Sequence, residues 1–190
     1  MRKTLPSPTS LTVMNSPLQA PSGINADRVS AWLSAHIQGA TAPFSFELIA
    51  GGHSNLTFKV TDAAGNRYVL RRPPLSHALA SAHDMRREHR IISALHNSQV
   101  PVAPALGLCT DIEVNDAPFY VMAFVDGLII RDNETARREL TEATRLHASN
   151  SLVDTMAKIH QVVPADVGLG KLGRHRSEEH TSELQSRLHL

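Results

Sequence analysis

A change of period near Phe44 constrains this chain more than any other feature. Upstream, "ADRVSAWLSAHI" carries Val29, Trp32, Leu33 and Ile37 on one helical face, with Asn25 placed to cap the first turn. Downstream, the apolar residues alternate instead. "FSFELIA" reads as a strand and "GGHSN" as a glycine turn. "LTFKVT" is a second strand with Leu56, Phe58 and Val60 on one side, and "DAAGN" is a turn ending in Gly65 and Asn66. "RYVLRR" is a third strand, stopped by Pro73 and Pro74. Three strands joined by short turns make an antiparallel meander.

A helix is expected next, from about Ala82 to His96. Its stripe of Met85, Glu88, Ile92 and Leu95 places a carboxylate among core positions. A carboxylate buried alone costs several kcal/mol, so an inward Glu88 needs a cation. Arg71 and Arg72 on the third strand point to opposite faces, and one of them can supply it. In the alternative, Glu88 is exposed and pairs with Arg87 or Arg90 on its own helix.

Two further strand-like runs follow, "APALGLC" and Phe119 to Val125, around the turn "DIEVNDAP". "RDNETARRELTEATRLHA" reads as a charged, solvated helix. "NSLVDTMAKIHQV" reads as a separate one, capped by Asn150 or Ser151, with Leu152, Val153, Met156 and Ile159 as its stripe. The expected fold class is therefore α+β: a five-stranded antiparallel sheet with one inserted helix, followed by the start of something helical.

Composition sets the outer limits. With 190 residues, 42% hydrophobic and 19% charged, the chain can bury one core and part of another. A net charge of +1 gives no electrostatic case for nucleic acid or a membrane surface. The single cysteine, Cys109, excludes an internal disulfide and reads as a small buried hydrophobe. Eleven histidines without an HExxH pattern offer no metal site; His53 reads as a solvent-facing loop residue and His160 as helix packing. Prolines 6, 8 and 17 interrupt the first residues, so residues 1–22 are expected to be a disordered tail of a cytoplasmic protein, with Met1 or Met14 as the start.

The segments "GGHSNLTFKV", "YVLRRPP", "RREHRIISAL", "PFYVMAFVDG" and "LVDTMAKIH", in that order, resemble the N-terminal lobe of the aminoglycoside-phosphotransferase-like kinase family. Within it, they are similar to the branch associated with acyl-CoA dehydrogenases. The resemblance implies a protein-kinase-like N-lobe at 23–127 and the first helices of a truncated C-lobe at 128–173. It implies ATP as cofactor, with Gly51, Gly52, His53, Ser54 and Asn55 covering the phosphates. Arg71 stands where such kinases usually place lysine, and Glu88 is its helix carboxylate. Both strand parity and the family position favour Arg71 over Arg72 as that partner. Met122 falls beside the adenine pocket, and the backbones of Ala123 and Val125 fall at the adenine edge.

Phosphoryl transfer also needs a carboxylate to orient the hydroxyl and ligands for Mg²⁺. In the family these belong to an "HGD....N" loop and a later acidic turn, and neither occurs in this chain. No catalytic or metal-binding residue is therefore assigned, and the Mg²⁺ ligands are expected in the missing lobe. Residues 174–190 are expected to be a non-native tail, because "RSEEHTSELQS" resembles a translated sequencing adapter from about Arg176. Two functions are weighed. The resemblance implies an inactive fragment of an ATP-dependent phosphotransferase acting on a small-molecule hydroxyl and associated with an acyl-CoA dehydrogenase. The other is a non-catalytic nucleotide-binding or interaction module.

Overall fold

The structure, a computed structural model, describes residues 20–50, 55–75 and 83–172. The expected terminal tails, apart from residues 20–22, lie outside that range, as do Gly51, Gly52, His53 and Ser54. The element order is α1 (Ala26–His36), β1 (Ser45–Ala50), β2 (Leu56–Thr61), β3 (Arg67–Arg72), α2 (Met85–Leu95), β4 (Ala105–Cys109), α3 (Ile112–Asn115), β5 (Phe119–Ala123), α4 (Asn133–Glu139) and α5 (Glu142–Gln161). The five strands form one sheet in the order β1-β2-β3-β5-β4, antiparallel throughout. The α+β arrangement expected from the sequence is the one observed.

Local chemistry sets most of these boundaries. Asn25 caps α1 by accepting from the Arg28 N–H, and Asp84 caps α2 by accepting from the N–H groups of Arg86 and Arg87. Between β2 and β3, Asp62 accepts from the backbone of Ala64 and Asn66, and Gly65 supplies the positive φ of 85°.

Register then divides the sheet into two faces. Phe58 lies opposite Leu70 and Val60 opposite Tyr68, and with Phe119 and Val121 they face α1. Val29, Leu33 and Ile37 of α1 close this core, and Trp32 meets the Phe119 ring edge-on at 5.0 Å. Burying each of the larger side chains contributes about 2 kcal/mol. Two contacts tether the start of this layer to α3: the Asn25 N–H donates to Asn115 Oδ1 at 2.8 Å, and Arg28 donates to the Glu113 carbonyl at 2.6 Å. Arg71, Tyr120 and Met122 point to the opposite face, where α2 lies against β4 and β5. Cys109 is buried at the end of β4, as expected.

Three expectations need correction. The last strand ends at Ala123, and Val125 is 67% exposed beyond it. The turn "DIEVNDAP" contains the one-turn helix α3, capped by Asp111 and ended by Asp116 in a left-handed conformation. The helices beyond residue 131 are divided at Leu140 rather than at Asn150. Thr141 caps α5 by accepting from the Thr144 N–H, and that helix runs unbroken through Asn150 and Ser151. No Gly or Pro stands between 142 and 161, so nothing there ends a helix already begun.

Candidate functional site

Arg71 on β3 and Tyr120 on β5 are register partners, so their side chains rise from the same face. The Asp84 cap begins α2 one turn before Glu88 and brings its carboxylate over that face. Glu88 Oε1 accepts from Asn55 Nδ2 at 2.6 Å, and Oε2 accepts from the Tyr120 hydroxyl at 3.1 Å. Arg71 Nη2 stands 3.6 Å from Oε2, close enough for an ion pair but too far for a hydrogen bond. Arg71 Nε is buried with no partner.

Of the candidate cations, Arg71 is the one beside Glu88. Arg72 points into the α1 core, where it is 6% exposed and donates to the carbonyls of Gly23, Asn115 and Pro73. Burial pulls its guanidinium below the ordinary range, against the attraction of Asp116. On α2 itself, Arg90 donates to the Gly168 carbonyl. Strand alternation explains the outcome: adjacent arginines were bound to separate, and Arg71 shares the parity of Tyr120.

The electrostatics of the cluster favour neutral donors around one carboxylate. Burial pushes the Tyr120 hydroxyl up to about 12; Arg71 opposes this and Glu88 adds to it, so the phenol keeps its proton. The His89 ring meets Tyr120 edge-on at 6.2 Å and is pulled below the ordinary histidine range by burial.

The other expected residues fall as follows. Met122 lies on the face of Arg71 and Tyr120, opposite Val69 of β3. The Ala123 N–H donates to the Pro104 carbonyl at 2.9 Å, so that donor is already engaged within the fold. Asn55 is buried, with its side chain directed at Glu88 and His83 rather than away from the fold. Gly51 to Ser54 lie outside the described residues. Tyr120 and His83 were not anticipated. Tyr120 had a usable signal, since it shares the parity of Met122 on β5; His83 had none beyond preceding the Asp84 cap.

An orphaned Arg71 Nε beside a long ion pair fits a ligand that brings an acceptor of its own, as a phosphate does. Among the described residues, no group of three or more His, Cys, Asp or Glu is gathered as a metal site. A cleft of about 670 Å³ opens apart from these residues, lined by Asp132, Leu140, Arg145 and Leu152 among others.

Comparison with known proteins bears on the family and the fold. A sequence model described as "Phosphotransferase enzyme family" matches residues 45–188. Acyl-CoA dehydrogenase family member 10 of Mus musculus is 32% identical over 71% of this chain and 12% of its own length. Probable acyl-CoA dehydrogenase IBR3 of Arabidopsis thaliana is 34% identical over 70% of this chain and 17% of its own length. The chain therefore spans less than a fifth of these relatives. A crystal structure of a putative aminoglycoside phosphotransferase from Ralstonia eutropha JMP134 superimposes with a TM-score of 0.63 and 32% identity. That match covers 78% of this chain and 41% of the other.

Proposed function

The chain belongs to the phosphotransferase enzyme family, and on that premise we propose that it is the nucleotide-holding part of an ATP-dependent enzyme that phosphorylates a small-molecule hydroxyl. The observation that carries this reading is the state of Arg71. Its partner carboxylate is held by Asn55 and Tyr120, its own contact is long, and its Nε has no acceptor. These features support Arg71 as the group that meets phosphate oxygens without giving up a close ion pair. Guanidinium can grip phosphate in a fork where lysine would act as a point charge.

Around that cation the remaining residues have distinct tasks. Gly51, Gly52, His53, Ser54 and Asn55 are assigned to cover the phosphates, Met122 to flank the base, and the backbones of Ala123 and Val125 to meet its edge. ATP, when bound, supplies the γ-phosphoryl group. The base and the Mg²⁺ ligands belong to an "HGD....N" loop and a later acidic turn, neither of which occurs in this chain, so the 190-residue chain is inactive alone. The family resemblance supports a hydroxyacyl acceptor, and the acyl-CoA dehydrogenase names of its relatives support work beside a dehydrogenase.

Calorimetric titration with ATP tests the reading. Weak binding that Arg71→Ala abolishes is expected, and binding unaffected by that change would count against it. Mg-ATP-dependent phosphoryl transfer by the purified chain would overturn the claim of inactivity. Tight nucleotide binding by a monomeric chain would favour a non-catalytic nucleotide-binding module instead.

A further inference from the structure

His83 lies outside every role assigned above, yet it closes the chain of contacts around Glu88. Its Nδ1 is 2.6 Å from Asn55 Oδ1, just before the Asp84 cap of α2. The polarity of that contact is dictated from the other end. A carboxylate only accepts hydrogen bonds, so the Asn55 group facing Glu88 Oε1 must be its Nδ2 amine. Asn55 Oδ1 is thereby turned toward His83, and an amide oxygen also only accepts. His83 Nδ1 must therefore carry a proton, whether the ring is neutral or charged.

We propose that His83 is a positioning residue that locks the Asn55 amide and, through it, holds Glu88 in place independently of Arg71. The relay explains a combination that is otherwise costly. A half-buried carboxylate would ordinarily draw the nearest guanidinium into direct contact. Here each carboxylate oxygen has a neutral donor, and Arg71 stays 3.6 Å away with Nε unpartnered. The relay also joins the residue that leads into β2 to the residues that begin α2, so it fixes the helix carboxylate relative to the strand pair beneath it. It rests on the proposed reading only in taking Arg71 as the group that meets phosphate.

The test has two independent readouts on the full chain. The first is the nitrogen spectrum of the His83 ring, recorded under conditions where the spectrum itself shows a single protonated ring nitrogen. Protonated Nδ1 is expected, and Asn55→Ala or Glu88→Leu should release the ring to the mixed tautomers of free histidine. A neutral ring protonated at Nε2 alone would overturn the relay.

The second readout is ATP affinity, followed by chemical-shift titration. His83→Phe keeps a ring without a donor and should weaken binding about fivefold, the effect of one lost hydrogen bond. His83→Asn places an amide nitrogen near the Nδ1 position and should restore it. Equal affinity in His83→Phe would overturn the proposal. If the unaltered chain binds no ATP, the nucleotide reading fails, and the ring tautomer alone decides the relay.

Discussion

Tyr120 shows how much one hydroxyl can set at this site. It donates to Glu88 Oε2, and burial raises it from 10.0 to about 12, so it remains a donor across the neutral range. Tyr120→Phe should cost about 1 kcal/mol, read as a lower urea midpoint, because Glu88 loses a partner that water cannot fully replace. The pH dependence has a definite sign. The folded protein holds this proton above pH 10 while the unfolded chain releases it, so stability falls as pH rises from 10.0 toward 12. Tyr120→Phe should flatten that alkaline limb, though Tyr68, raised by burial and by Asp62, retains part of it. At the acid end Asp62 acts in the opposite sense. Burial raises its carboxyl, but donors from Asn66, Thr41 and Ala64 outweigh this and hold it below 3.8. Its contribution is present above that value and is lost as pH falls, so Asp62→Asn should flatten the acid limb of a urea-midpoint profile.

At the level of elements, α1 and α5 give contrasting lessons. The stripe of α1 was legible because its apolar residues are the ones the sheet buries, and Asn25 caps it where its chemistry suggests. Its approach to β4 depends on Gly107, where an added Cβ would stand 3.0 Å from Trp32 and 3.1 Å from Ile37. Gly107→Val should cost about 1–3 kcal/mol by wedging helix from strand, seen in thermal or urea unfolding. The start of α5 was misread because Asn150 and Ser151 have cap chemistry, yet they fall inside a helix that Thr141 had already begun. Ser151→Pro separates the two views. A helix starting at 151 would accept proline in its first turn, whereas the continuous helix should lose about 3 kcal/mol and visible helicity by circular dichroism.

Across the whole molecule, the apolar surface is unevenly covered. The α1 face of the sheet is closed, but Leu146, Leu152, Val153, Met156 and Ile159 of α5 are all about half exposed or more. The sequence identified four of these five as a stripe without saying what they would meet, because periodicity reports a face and not its partner. Replacing Leu152 and Met156 by lysine should change stability by no more than about 0.5 kcal/mol while reducing self-association in sedimentation experiments. Large destabilisation would mean that this stripe is packed in solution.

The sequence alone determined the strand meander, the capped α1, the inserted helix and the carboxylate on its stripe. These rest on local rules: side-chain alternation, helical spacing, glycine turns and cap residues act within a few positions of one another. Tertiary structure decided the rest, because hydrogen-bond partners far apart in the chain meet only when the sheet closes. It set Arg71 3.6 Å from Glu88 and supplied the carbonyls of Gly23 and Asn115 to Arg72, and it brought Asn55 and Tyr120 onto one carboxylate with His83 behind Asn55. Those three residues come from a strand entry, a helix entry and the strand between β3 and β4. No spacing along the chain links them; the sheet order does.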